Sequence, residues 1–399
     1  MATYLVADRE WSPDAEGFQD ALAKLPTPRR IQCLCQDPPV EMYVPLRHGA
    51  YRVACMPGTD VQHHQDCTHY DLPLSLSGAG QLMGSAIDEN EDGDVVLRLD
   101  FALNKIAGRA PPPPSSGGVV ETAKADPSKL TLRGLLHYLW QEAGFHKWTP
   151  RMEGKRTEGV FYKYLKLAGA NKRMKTGLLA DVLVVPRPAL QGATQDAGEL
   201  TLTRASTDEK NNRRLALVCG EVAALEQRPL GFQVRLKSMA DPLQISAELY
   251  KKVEKAFGPQ LSMWDPVGSK LIVLATYWID QVGMAMVSEI TLVNTNANYL
   301  PFETNFEKKL LDELMLGKRR FTKCLRFNLK VSIPIASVVL TDTDTPVAMF
   351  IQLPGIDLDT FEAKIDEVAS LGMKTWVWRA GQARMPDLPP VGSRPGIPQ

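Results

Sequence analysis

The chain has 399 residues, 44% of them hydrophobic, and 46 basic residues balance 46 acidic ones. Such a chain fills several hydrophobic cores and carries no global field toward polyanions, which excludes a wholly disordered protein and a uniformly basic nucleic-acid coat. No apolar run approaches the roughly 18 residues of a membrane span, and Met1-Ala-Thr-Tyr opens no charged-then-apolar leader, so the expectation is a cytoplasmic protein with no membrane partner.

In chain order, a short strand is expected at 4–7 and an amphipathic helix at 14–25, with Phe18, Ala21, Leu22 and Leu25 on one face. Cys33-Leu34-Cys35 follows, and then His63-His64-Gln65-Asp66-Cys67. Between them, runs at 41–46 and 51–55 around Arg47-His48-Gly49 predict a hairpin that folds the two pairs together. Two close pairs of soft or borderline ligands suit one tetrahedral Zn²⁺, closed on all four sides and therefore structural: Cys33, Cys35, His63 or His64, and Cys67, with Cys55 and His69 in reserve. Reduced cysteines packed as small hydrophobes are the alternative, and a disulfide is the remaining one. No His-Glu-x-x-His or His-x-Glu with Cys-x-x-Cys offers an open catalytic zinc, and Cys219 and Cys324 read as core residues.

A second hairpin is expected from 84–87 to 95–101 through the acidic turn 88–94. Asp88, Asn90, Asp92 and Gly93 match half a calcium loop, but the twelfth position is Leu99 where a bidentate Glu is needed, so a solvated turn is the reading. Pro and Ser/Gly runs then mark a linker at 110–128. Leu132, Leu135, Leu136, Leu139 and Trp140 recur at helical spacing, a second helix is expected at 157–167, and 178–186 closes the unit. This is a basic helical module over 129–186, for which a winged helix is one arrangement.

Within that module lie Lys147, Arg151, Lys155, Arg156, Lys163, Lys166, Lys172, Arg173 and Lys175, against only Glu153 and Glu158. Trp148, Tyr162 and Tyr164 are interleaved, as on a surface that holds phosphates and stacks bases. A solvated helix face explains such a run equally well.

After a polar loop at 187–213, strand-like runs at 214–219, 232–236, 270–278 and 287–293, interrupted by a helix at 246–257, make a β-rich domain over 214–299. The last block, 300–380, carries a helix at 304–316, strands at 330–341 and 347–353, a helix at 358–371 and a strand at 374–378. The proline-rich tail, 381–399, reads as disordered.

Ile31-Gln-Cys-Leu-Cys, Met56-Pro-Gly-Thr with His63, His64 and Cys67, the run Leu132-Arg-Gly-Leu-Leu-His-Tyr-Leu-Trp-Gln-Glu-Ala-Gly-Phe, and Arg320-Phe-Thr-Lys-Cys-Leu-Arg-Phe together resemble an uncharacterised domain-of-unknown-function family of proteobacterial integrative conjugative elements and plasmids. The resemblance covers nearly the whole chain and implies an accessory protein of mobile DNA. The 300–380 block also resembles the PD-(D/E)xK nuclease core, in which a Glu-bearing helix precedes a strand ending in Asp, a strand carrying Glu-x-Lys, a helix and a final strand. Glu307 matches the helix. Ala336-Ser337 stands where Pro-Asp belongs, however, and Met349-Phe-Ile-Gln-Leu has neither Glu nor Lys.

The expectation is therefore an α+β, multidomain chain: a zinc-ribbon-like β module (1–109), the basic helical module, the β-rich domain and a nuclease-like mixed α/β core. Its expected role is a nucleic-acid-associated accessory protein, with DNA the expected partner beside proteins of the mobile element. An active nuclease is the first alternative, with Glu307, Asp342, Asp344, Glu362 and Lys364 as candidates and Mg²⁺ as cofactor. A protein-interaction subunit without DNA binding is the second.

Overall fold

The computed structural model describes residues 2–47, 49–56, 58–65, 67–90, 95–105, 126–188, 213–229, 231–264 and 268–392. His48, Asp92 and Gly93, the proline run of the 110–128 linker, 189–212 of the polar loop and 393–399 of the tail lie outside the described residues.

Short apolar-polar alternations build an N-terminal sheet from β1 (Tyr4–Val6), β2 (Arg9–Trp11), β3 (Arg30–Cys33), β4 (Val40–Tyr43) and, beyond a small hairpin of β5 (Leu46–Arg47) and β6 (Ala50–Tyr51), β7 (Ala54–Cys55). The strands pair antiparallel in the order β2-β1-β3-β4-β7. Tyr4, Val6, Ile31, Val40 and Met42 bury one face against Phe18 and Leu22 of α1 (Phe18–Ala23). That helix is shorter than the sequence periodicity predicts, because Gly17 at φ 81° turns the chain and starts it at Phe18.

Next come β8 (Ile87–Glu89), β9 (Val95–Leu97), β10 (Asn104–Lys105), α2 (Leu132–Glu142), β11 (Lys147–Trp148), α3 (Glu158–Gly169), β12 (Lys172–Met174), β13 (Gly177–Leu178), α4 (Leu179–Val182) and β14 (Leu183–Val184). Thr131 caps α2 by accepting the Gly134 N–H at 2.9 Å. Gly134 through Trp140 are all buried, so α2 is surrounded on every side. A Cβ on Gly134 would overlap Asn328 Oδ1, and Trp140 Nε1 donates to the Tyr299 carbonyl at 2.9 Å. One central core joins Ile87, Val95 and Leu97 of the hairpin, α2, Phe161 and Leu165 of α3, and Leu217, Ile272 and Leu274 further along the chain. The boundary expected between 129–186 and 214–299 thus runs through shared packing.

Beyond β15 (Arg213–Arg214), which pairs with β10, the chain forms β16 (Ala216–Arg228), β17 (Gly231–Leu236), β18 (Leu243–Ser246), α5 (Ala247–Ser262), β19 (Lys270–Ile279) and β20 (Ala285–Thr295). Pairing runs β16-β17-β18-β20-β19 and closes from β19 back to β16. All contacts are antiparallel except β18 with β20. The result is a closed five-stranded barrel with a helix between its third and fourth strands. Val218, Val234, Leu243, Val273 and Leu292 fill it together with Val253 and Phe257 of α5.

The C-terminal unit has β21 (Pro301–Phe302), α6 (Asn305–Leu316), β22 (Phe321–Lys323), β23 (Val338–Leu340), β24 (Val347–Gln352), α7 (Leu358–Ser370) and β25 (Lys374–Arg379). Its sheet is ordered β11-β22-β23-β24-β25, with β24 and β25 parallel. Val347, Met349 and Ile351 face α6, whereas Ala348 and Phe350 face Phe361 and Val368 of α7, which makes three layers. The strand expected over 330–341 forms only at 338–340. Residues 381–392 depart from the expected disorder: Trp376 Nε1 donates to the Asp387 carbonyl at 3.0 Å, Trp378 Nε1 to that of Ala383 at 3.1 Å, and Gly392 N–H to that of Asp342 at 2.8 Å. Proline-rich composition marks a chain without helix or strand, and here indole donors hold such a chain in place.

Candidate metal centre and basic surface

Antiparallel pairing of β3 with β1 and β4 puts Cys33 at the end of a strand, with Cys35 in the turn that follows. The loop after β7 returns His63 and Cys67 to the same point. One ligand atom from each of Cys33, Cys35, His63 and Cys67 lies within 4.8 Å of all the others, the one such group of His, Cys, Asp and Glu among the described residues. Cys33 Sγ and Cys67 Sγ are 3.7 Å apart, and His63 Nδ1 is 3.3 Å from Cys35 Sγ and 3.7 Å from Cys67 Sγ. A tetrahedron with Zn–S near 2.3 Å and Zn–N near 2.0 Å has edges of about 3.8 Å between sulfurs and about 3.5 Å between sulfur and nitrogen. The spacing therefore fits a metal ion such as zinc.

Backbone donors complete the cluster. His64 N–H points at Cys35 Sγ at 3.4 Å and His69 N–H at Cys67 Sγ at 3.5 Å, which is where thiolate charge needs neutralising. It is the ring of His63, not that of His64, that enters the group. The reserve candidates surround it: Cys55 Sγ lies 3.6 Å from His63 Nε2, and His69 Nε2 lies 2.6 Å from the Tyr4 hydroxyl. The contact between Cys33 and Cys67 raises the Cys33 thiol and lowers that of Cys67, while burial raises Cys35 and Cys55.

Sequence reading missed the brace behind this loop. Asp71 Oδ2 lies 3.4 Å from His146 Nε2 and 3.1 Å from Lys147 Nζ, and Lys147 also donates to the Tyr70 carbonyl at 2.7 Å. Burial alone would raise the Asp71 pKa, but His146 and Lys147 beside it hold it well below the usual carboxylate range. Asp71 and His146 are 75 positions apart, so no local pattern announced the pair.

The basic run divides on folding. Arg156 is buried and its guanidinium donates to the carbonyls of Phe145, Gly144, Lys147 and Asn298. Lys172 is buried on Glu142, Lys166 reaches the Leu183 carbonyl at 3.3 Å, and Lys147 is spent on Asp71. Arg151, Lys155, Lys163, Arg173 and Lys175 remain exposed. Of the interleaved aromatics, Trp148 is 2% exposed and Tyr162 packs against the central core, so Tyr164, at 43%, is the open ring.

The nuclease candidates are scattered among separate partners. Glu307 is buried and accepts from Lys323 Nζ at 3.0 Å and from Glu303 N–H at 2.9 Å. Asp342 takes Arg319 in a bidentate pair, with both contacts at 2.9 Å, and the Arg320 N–H at 2.8 Å. Asp344 is exposed, Glu362 pairs with Arg379 at 3.4 Å, and Lys364 donates to the Ser75 carbonyl at 2.9 Å. Glu362 and Lys364 both lie on α7, where residues two apart point about 200° apart.

Among the described residues no helix is long and apolar enough to cross a membrane. No curated protein and no solved structure matches the chain. Residues 4–381 match the family model described as a protein of unknown function, DUF1173, and the chain belongs to that family.

Proposed function

We propose that this chain is a nucleic-acid-associated accessory protein of a mobile genetic element, built around a structural zinc ion. The tetrahedral spacing of Cys33, Cys35, His63 and Cys67 carries the reading. Zinc supplies a cross-link between β3 and the 63–67 loop, and four protein ligands leave no position for substrate. The exposed Arg151, Lys155, Lys163, Arg173 and Lys175 supply cations for phosphates. The setting in mobile DNA rests on the sequence resemblance. A nuclease-like ancestry fits the order α6, β22, β23, β24, α7, β25. Hydrolysis is not part of the proposal, because Asp342 and Glu307 are each neutralised by a cation of their own where Mg²⁺ needs free carboxylate oxygens.

Elemental analysis of protein never exposed to chelator is expected to find one zinc per chain, and less than about a tenth of an equivalent removes the structural metal. DNA retention should fall steeply with salt, and reversing the charge of Lys163, Arg173 and Lys175 should lower both affinity and salt slope. Retention indifferent to salt and to those changes favours the interaction-subunit reading.

A further inference from the structure

The barrel carries a face that the metal centre and the basic run leave unused. Its strand order, β16-β17-β18-β20-β19 closing on β16, with a parallel third and fifth strand and a helix after the third, is that of the five-stranded Greek-key barrel whose second and third strands bind oligomers between the 1–2 and 4–5 loops. Likeness of fold alone does not assign a ligand, so the side chains must carry the case.

Most of the barrel exterior is covered. Leu217 and Cys219 of β16 and Ile272 and Leu274 of β19 enter the central core with α2, while α5 adds its apolar side to the barrel filling. The outer face of β17 and β18 is different. Register places Glu226, Gln233, Gln244 and Met286 in one outward row across four strands, and each is half-buried or exposed. Arg228 and Arg235 flank this row and share the single carboxylate of Glu226, so at this end two guanidinium groups face one acidic partner, while the 280–284 loop at the other end carries Asp280. Arg228 Nη2 also donates to Gln233 Oε1 at 2.8 Å.

Pairing of Gly231 with Ser246 sets Arg228 and Gly231, the last pair of β16 and β17, at one end of the face, and pairing of Leu243 with Ala285 sets the 280–284 loop at the other. Val282 and Met284 on the second loop are 76% and 45% exposed. The face thus offers guanidinium groups for phosphates, two amides that can donate and accept at base edges, and the exposed Val282 and Met284 side chains for base faces.

We infer that the outer face of β17 and β18, between Arg228 and Gly231 at one end and the 280–284 loop at the other, binds single-stranded nucleic acid. Amides and exposed apolar side chains on an open sheet face suit splayed bases, whose Watson–Crick edges and faces are both free, and among the described residues no helix lies on this face to enter a duplex groove. The inference rests on the nucleic-acid reading above but not on its cationic surface.

The test uses the full chain and a fluorescent oligothymidylate of about 15 nucleotides, with a duplex of equal length as comparison. Wild type should prefer the single strand. Arg228→Ala with Arg235→Ala should weaken binding at least about fivefold and reduce the salt slope by roughly 1.4, at about 0.7 per lost phosphate contact. Gln233→Ala with Gln244→Ala should weaken binding and leave that slope unchanged; these polar outward positions leave the barrel filling intact, which an unaltered thermal midpoint verifies. Wild type that fails to bind the oligomer, or barrel variants that bind it as wild type does, overturns the inference. Loss only in the Lys163, Arg173 and Lys175 reversal overturns it too, while leaving the proposed function standing. Binding of an oligosaccharide or peptide at this face in place of the oligomer also refutes it.

Discussion

The N-terminal sheet and the barrel are both small, largely antiparallel β units, yet they are held by different means. Strands β1, β4 and β7 have 3, 4 and 2 residues, and the sheet keeps open edges at β2 and β7. Strands β16, β19 and β20 have 13, 10 and 11 residues, and their ring has no edge. The longer strands bury alternate residues in two cores at once, whereas the short ones share a modest core that includes Cys33 itself. A unit with little apolar surface to bury gains most from a cross-link such as the proposed zinc, and a closed barrel gains least.

The largest expected effect tests the cross-link. Structural zinc in finger peptides binds with roughly 10 to 16 kcal/mol of apparent free energy, comparable with the whole stability of a domain. Cys67→Ser should therefore release the metal and strip amide-exchange protection from β3 and β4, with β16 and β19 still protected. Metal-free protein that keeps β3 and β4 protected would erase the contrast between the two units.

A cavity in the barrel should act in the opposite sense. Leu236 is 3% exposed and points into the barrel filling, so Leu236→Ala should cost about 2 to 5 kcal/mol. Calorimetry should register a lowered transition while zinc stoichiometry stays at that of wild type. A simultaneous loss of zinc would mean that the two units unfold as one.

The smallest effect is a pH dependence. Burial, helped by the charge of Glu289 on β20, pushes the Asp100 carboxyl up to about 7 from its ordinary value of 3.8. A folded-state pKa above the unfolded one gives stability that is complete below about 4 and is lost as pH rises through 7. Asp100→Asn should then stabilise the chain above pH 7 by about 1 to 2 kcal/mol, a figure reduced for partial exposure, and the gain should vanish near pH 4. Thiolate-bound metal responds the other way, since protonation releases it as pH falls. Denaturant titrations of wild type and variant at several pH values separate the two trends.

Much of the local structure was legible in the residues. The periodicity of Leu132, Leu135, Leu136 and Leu139 found α2, similar spacing found α3, α5, α6 and α7, and the types and spacing of Cys33, Cys35, His63 and Cys67 found the group that could hold a metal ion. Each signal is carried by neighbours within a few turns or by chemistry that only a few residue types possess. Strand β18, with 4 residues, was missed because so short a run has no period of its own. Without it the barrel order could not be seen, and closure depends on pairing β16 with residues more than 40 positions away.

Sequence by itself determined which side chains can ligate a metal and where most helices lie, because ligand chemistry and helical spacing are local properties. Tertiary structure alone decided which charges stay at the surface. Arg156 and Lys172 look no different in the chain from Lys163 and Arg173, yet the first two fold inward onto carbonyls and Glu142 while the others face solvent. Burial of a cation depends on partners that distant elements supply. Gln233 and Gln244 face outward for the same reason: among the described residues, α2 and α5 pack on other sides of the barrel.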